Sequence, residues 1–310
     1  MRRCFLFFLS VCMLFSCCFL LCGCEKKSLG ADTSEASSYT WQKKCYEPQA
    51  DGATVIGSEP FLLDISHTDQ GYMMARYTGT ADKVNLQITG PDGTNYKYFM
   101  EPAEQYIPFT FSGGDGSYVI AAYENIGGDQ YVSLFFEVVD ITLKDEFLPF
   151  LYPNQYVFFT KDSQAVKEAE KLCTADKKDI DLLSDVYNYV ISSISYDDEK
   201  ARTVQLGYLP DIDETLETKK GICFDYAALM AAMLRSQGIP CKMAIGYSNE
   251  IKHAWIDVYI EGNGWIDRAI EFNGEEWKLM DPTFASNNED EETVKDYIGD
   301  GENYTLQYNY

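Results

Sequence analysis

Apolar and polar positions along this chain fall into four regimes. Residues Cys4 to Cys22 form an uncharged, largely apolar run. Residues 25 to about 50 are rich in Ser, Ala, Thr, Lys and Glu and show no sustained period. From Ala53 to Leu143 the chain reads as β. Val84, Leu86 and Ile88 alternate with Asn85 and Gln87, the period of a half-buried strand. Gly90-Pro91-Asp92-Gly93 is a turn before a strand at Tyr96-Lys97-Tyr98. Gly113-Gly114-Asp115-Gly116 and Gly127-Gly128-Asp129 likewise precede strands at Tyr118–Tyr123 and Tyr131–Val139. Short strands with turns every ten or so residues predict an antiparallel β-sandwich over 51–143, of the immunoglobulin-like (Ig-like) kind.

Helical periods begin only at Ser163. Ala165, Val166 and Ala169 mark a first helix, with Thr160 or Asp162 as its cap. Ile180, Leu183, Val186, Tyr187, Val190, Ile191 and Ile194 recur at helical steps and predict a second. A third starts near Cys223, buries Ala227, Met230, Ala231 and Leu234, and stops at Gly238-Ile239-Pro240. Strands follow at Cys241–Tyr247, His253–Ile260, Gly264–Asp267 and Glu276–Asp281. Helices in one block and strands in the next predict an α+β second domain over 144–310.

The first regime concerns export. Arg2 and Arg3 precede the apolar run, and Leu21-Cys22-Gly23-Cys24 ends it just before Glu25-Lys26-Lys27. A basic start, an apolar centre and small residues before a cut describe a signal peptide, here residues 1–23. The four residues resemble a bacterial lipobox, in which Cys24 becomes the lipidated N-terminus and residues 24–50 a flexible tether. The alternative is an uncleaved anchor, since 19 residues just span a bilayer. Either reading places the protein on the extracytoplasmic face of a membrane.

Charge narrows the partners. The 310 residues carry a net charge of −24, and cleavage after residue 23 removes Arg2 and Arg3 to give −26. A phosphate backbone is bound by clustered Lys and Arg, so nucleic acid is excluded as a partner. A polybasic attachment to anionic lipid is excluded too, which leaves the N-terminal lipid as the membrane contact. The aromatic fraction of 15% is too high for a disordered acidic chain.

Six of the ten cysteines lie in the first 24 residues, leaving Cys45, Cys173, Cys223 and Cys241. They show neither a disulfide framework nor C-x-x-C metal spacing. No metal or cofactor is expected. Asp211, Asp213 and Glu214, and the run Glu289-Asp290-Glu291-Glu292, do not fit a calcium loop and read as solvated acidic faces. One disulfide among Cys45, Cys173 and Cys241 is compatible with export, its pairing open.

Cys223 stands where a helix begins, after the turn Lys220-Gly221-Ile222. Unpaired amides and the positive end of the helix dipole there favour a thiolate, the nucleophilic form. A nucleophilic thiol needs a base. The chain has two histidines; His67 lies in the polar stretch 66–70 of the β region, which leaves His253, at the start of a strand. A third group should orient the imidazole. Asp257 shares the strand and face of His253, yet four residues at about 3.3 Å each put it about 13 Å away. Asp267 and Asp281 lie on later strands and can approach.

Gly221-Ile222-Cys223-Phe224-Asp225-Tyr226-Ala227, His253-Ala254-Trp255 and Met280-Asp281-Pro282-Thr283-Phe284 resemble the bacterial transglutaminase-like superfamily. Arg235-Ser236-Gln237-Gly238-Ile239-Pro240 and Ile194-Ser195-Tyr196-Asp197 fit the same resemblance, which covers about Pro149 to Phe284. It implies a papain-like α+β arrangement with Cys223 as nucleophile, His253 as general base and acid, and Asp281 as orienter. The segment from Asp267 to Glu276 is longer than the family's and keeps Asp267 as a rival third member. The Cys223 amide is one oxyanion donor, with Tyr208 from the 205–208 segment as a candidate second.

This pattern predicts a thiol that attacks an amide carbonyl and forms a thioester. The substrate would be a protein or peptide, cell-wall peptide included. Water as second reactant makes a peptidase or amidase, and an amine makes a transglutaminase. Hydrolysis is slightly favoured, because excluding water from the acyl-enzyme is the more demanding requirement. The competing expectation is a non-catalytic surface module that binds through its β-sandwich.

Overall fold

The computed structural model describes residues 44–174, 177–205, 207–248, 250–267, 270–272, 277–279 and 304–310. The first half is built from β1 (Val55–Ser58), β2 (Phe61–Asp64), β3 (Tyr72–Tyr77), β4 (Val84–Thr89), β5 (Asn95–Met100), β6 (Ile107–Thr110), β7 (Gly116–Gly127) and β8 (Gln130–Ile141). They make two four-stranded sheets, ordered β1-β2-β3-β6 and β5-β4-β7-β8. Every pairing within them is antiparallel. The chain crosses between sheets after β3, after β5 and after β6, as in a Greek key. Val84, Leu86 and Ile88 of β4 are buried and their neighbours are half-buried, so the alternation read from sequence is the face that packs. Between the sheets Phe61 meets Phe135 at 5.4 Å, Tyr98 meets Phe109 at 4.9 Å and Phe111 meets Tyr118 at 4.9 Å.

Beyond the sandwich come α1 (Gln164–Leu172), α2 (Asp179–Ser193), β9 (Ser195–Tyr196), α3 (Asp198–Thr203), α4 (Ile212–Thr218), β10 (Lys220–Gly221) and α5 (Cys223–Ser236). The strands β11 (Cys241–Ser248), β12 (Ile251–Ile260), β13 (Gly264–Ile266), β14 (Ile270–Phe272), β15 (Trp277–Leu279) and β16 (Tyr304–Asn309) follow. An antiparallel sheet ordered β13-β12-β11-β16 packs against α5, while β14 and β15 pair with each other. From Asp225 to Ser236 every residue of α5 is buried. A helix apolar nearly all round has no solvent face, and α1, α2 and α4 cover the sides that the sheet leaves. The architecture is α+β, a helix-and-sheet half preceded by an antiparallel sandwich.

Two features differ from the sequence expectations. The cap of α1 is neither Thr160 nor Asp162. The amides of Gln164 and Ala165 donate to the carboxylate of Asp213, each at 3.0 Å, from 49 and 48 residues away. The terminal stretch, which shows no readable period, forms β16 along the edge of β11. Its signal is tertiary: Tyr310 is buried with its ring 4.5 Å from Tyr156, 5.3 Å from Tyr96 and 5.7 Å from Tyr98.

That tyrosine nest joins the two halves. The connection after β8 is itself buried at Phe147, Leu148, Phe150, Leu151 and Tyr152, and one continuous apolar cluster holds residues of both the sandwich and α5.

Candidate active site

Three local devices fix the turn that carries Cys223. First, β9 and β10 pair in parallel, Ser195 opposite Lys220 and Tyr196 opposite Gly221. The Asp197 amide then donates to the Gly221 carbonyl at 2.9 Å. Second, Gly221 lies so close to the next turn that a Cβ there would stand 2.8 Å from the Asp225 Cβ, so only glycine fits. Third, the Ile222 amide donates to Asp225 Oδ2 at 2.8 Å, the return bond of a capping box. The Tyr226 hydroxyl ties the same turn to the Ile194 carbonyl at 2.8 Å. Cys223 is therefore the first residue of α5, half-buried, and its neighbour Phe224 meets Tyr156 at 5.7 Å.

Asp225 is the residue that sequence reasoning missed. It is 0% exposed. Its Oδ1 accepts from the Tyr208 hydroxyl at 2.5 Å and its Oδ2 pairs with Lys200 Nζ at 2.8 Å. Lys200 Nζ also donates to the Tyr208 oxygen at 2.6 Å. The readable signal was an acid three residues after the cap residue, the capping-box position. Burial and the adjoining carboxylate push the Tyr208 hydroxyl far above its ordinary value. Its one proton goes to Asp225, so the oxyanion role of Tyr208 is not carried further.

His253 is buried on β12, opposite Gly246 of β11. A Cβ at Gly246 would stand 2.0 Å from the Thr305 carbonyl oxygen, so glycine is what allows β16 to close on the strand facing His253. The imidazole lies 6.4 Å from the Trp255 ring and 6.0 Å from that of Tyr304. Along β12 the alternate residues Ala254, Ile256, Val258 and Ile260 enter the same core as α5, while His253, Trp255 and Asp257 form the intervening set. The strand bearing His253 thus packs against the helix bearing Cys223.

The other candidates sort clearly. Asp257 is buried four residues along β12, opposite Lys242, and Asp267 is exposed in the turn after β13. Asp281, Cys24 and the acidic run 289–292 lie outside the described residues. Of the acids near α4, Asp211 and Glu214 are exposed, and Asp211 and Asp213 also serve as helix caps. Asp211 accepts from the amides of Asp213 and Glu214 at 3.0 Å each, and Asp213 caps α1. Among the described residues no three His, Cys, Asp or Glu side chains cluster as metal ligands. Of the four described cysteines, Cys241 is fully buried with its thiol pushed up to about 12, and burial pushes Cys45 up to about 11.

A thiol thus stands at a helix start and a histidine on the strand that packs against that helix. Residues 167–268 match the family model of the transglutaminase-like superfamily, and the chain carries such a domain. The uncharacterised protein YebA of Bacillus subtilis is 31% identical over 74 residues, 18% of this chain and 10% of that protein. The kyphoscoliosis peptidase of Mus musculus is 29% identical over 129 residues, 38% of this chain and 17% of that protein. The chain thus matches under a fifth of the length of each of these curated relatives. Among solved structures, a cysteine protease candidate from Cytophaga hutchinsonii aligns over 83% of this chain and 73% of its own. The TM-score is 0.39 and the identity 14%. Red sea bream transglutaminase aligns over 70% and 53%, with a TM-score of 0.27 and 12% identity.

Proposed function

We propose that the protein is an exported lipoprotein, anchored through Cys24, whose Cys223 performs acyl transfer on amide bonds of a protein or peptide. The observation that carries this reading is the position of Cys223. It is half-buried and alone among the four described cysteines in opening a helix, and that helix packs against the strand of His253. His253 takes the thiol proton as sulfur attacks the carbonyl carbon, with the Cys223 amide as donor to the oxyanion. The same proton passes to the departing amine as the carbon–nitrogen bond breaks, leaving a thioester. Asp281 orients the imidazole. Water then attacks the thioester, releasing the acid and restoring the thiol.

Hydrolysis is favoured over amine transfer because nothing special is needed to admit water to a half-buried thiol. A screen run side by side for peptide release and for incorporation of a labelled amine tests both outcomes. Release or incorporation lost in Cys223→Ala and His253→Ala supports the site, and turnover surviving in both variants refutes it. Lipidation is tested by the mass of the mature N-terminus, with Cys24→Ala expected to leave the protein unanchored.

A second reading has its own observation. The long edge strand β8 exposes Val132, Phe136 and Val138, with Phe136 61% exposed. The strand order of the two sheets supports an Ig-like sandwich that presents this edge to a surface ligand. Loss of cell-surface retention in Phe136→Ser of the intact chain, with Cys223 labelling unchanged, would favour it.

A further inference from the structure

We infer that Lys200, Tyr208 and Asp225 form a positioning network whose ion pair balances the charge beside Cys223 and so keeps its thiol reactive. The inference rests on the reading of Cys223 as nucleophile. Asp225 is two residues from that thiol, and its fully buried carboxylate caps the same helix turn. A buried carboxylate there has two effects of opposite sign. It holds the Ile222 amide and so fixes the start of α5. It also places a buried negative charge in the same helix turn that Cys223 opens, and a negative charge there opposes formation of another. Lys200 removes the second effect and keeps the first. Its ammonium contacts Asp225 at 2.8 Å and the Tyr208 oxygen at 2.6 Å, and it lies 4.5 Å from the centre of the Tyr208 ring.

Lys200 is 27% exposed and lines an open polar cavity of about 420 Å³ between α3, α4 and β10. Other charged and titratable groups on the elements packed around the turn include Asp197, Asp198, Glu199 and Arg202, Asp211, Asp213, Glu214 and Glu217, Lys220 and His253. The acids among them oppose thiolate formation as Asp225 does, which leaves the cation of Lys200 as the counterweight in contact with the carboxylate.

A charge-balance role makes the two members of the pair act with opposite signs. The rate at which iodoacetamide alkylates Cys223 is followed against pH, by peptide mass, in the full chain and in Lys200→Met, Lys200→Arg, Asp225→Asn and the double variant K200M/D225N. Lys200→Met raises the midpoint by about one pH unit, a roughly tenfold slower reaction at neutral pH. Asp225→Asn lowers the midpoint, Lys200→Arg keeps it, and the double variant returns toward wild type. Shifts of the same sign in K200M and D225N, or a double variant no closer to wild type than K200M, overturn the inference. If K200M does not fold, the double variant decides: folded with a wild-type midpoint supports the network, and unfolded or displaced refutes it. A wild-type midpoint at the ordinary thiol value would break the nucleophile reading instead, and the differences between variants would still report on the network.

Discussion

The two ends of α5 each bury a charge, and they satisfy it in different ways. At the start, the carboxylate of Asp225 is held by side chains, Lys200 and Tyr208, along with one amide. At the end, the guanidinium of Arg235 is 0% exposed and held by main-chain oxygens. It donates to Cys241 at 2.8 Å, to Tyr152 at 2.9 Å and to Tyr310 at 2.6 Å. Those oxygens come from the buried connection, from β11 and from the end of β16, so one planar fork fastens three distant segments. The Arg235 end is a clamp on main-chain oxygens, whereas the Asp225 end has a charge balance between side chains that substitution can change. Their cysteines differ in the same sense: Cys241, beside the clamp, is buried and inert, and Cys223 is half-exposed at the opposite pole.

The largest test of this contrast is Arg235→Met. It removes the donor from the main-chain oxygens of Cys241, Tyr152 and Tyr310, of which Tyr310 keeps the Met243 amide, and should cost about 3–5 kcal/mol in urea unfolding. A lysine in its place should recover only part, having no fork. A wild-type urea midpoint in R235M would break the comparison. Next in size is an alkaline loss of stability centred on the same end. Burial pushes Tyr96, Tyr156 and Cys241 up to about 12. Tyr98 and Tyr310 move upward too. Each group keeps its proton in the folded chain beyond the pH at which the unfolded chain releases it. Their contribution is therefore complete below the unfolded values and falls as pH rises toward 12. Urea midpoints that stay flat between about pH 9 and 12 would contradict the sign.

Gly246→Ala, opposite His253, forces a methyl against the Thr305 carbonyl and should cost about 1–3 kcal/mol. It should also slow Cys223 labelling by disturbing the strand that faces His253. Smallest is Asp213→Ala, which uncaps α1 for about 1 kcal/mol and leaves Cys223 labelling unchanged. A change in labelling there would mean that the start of α5 is coupled to α1.

What the chain revealed in advance follows the range of the interactions involved. The alternation in β4, the helical period of α2 and the apolar run of α5 are local, and each element forms where its pattern lies. The positions of Cys223 at a helix start and of His253 on a strand were legible because both have local signatures. The misses are long-range. Asp213 reads as one more surface acid until the start of α1 is brought to it from 48 residues away. The last strand depends on β11, and α3 and α4 are six and seven residues long, too short for a period to show. Arg235 sits within a motif associated with the end of a helix, but the three main-chain oxygens that accept from it become neighbours only when the sheet closes.

The proposed function requires Cys223 to be an activated thiol. The direct measurement is alkylation by iodoacetamide at neutral pH in the folded chain, read peptide by peptide. Cys173, half-buried at the end of α1, is the internal reference. Cys223 is expected to react about tenfold faster or more than Cys173, with the advantage removed in His253→Ala. Equal rates at the two cysteines, or an advantage untouched in His253→Ala, would contradict it.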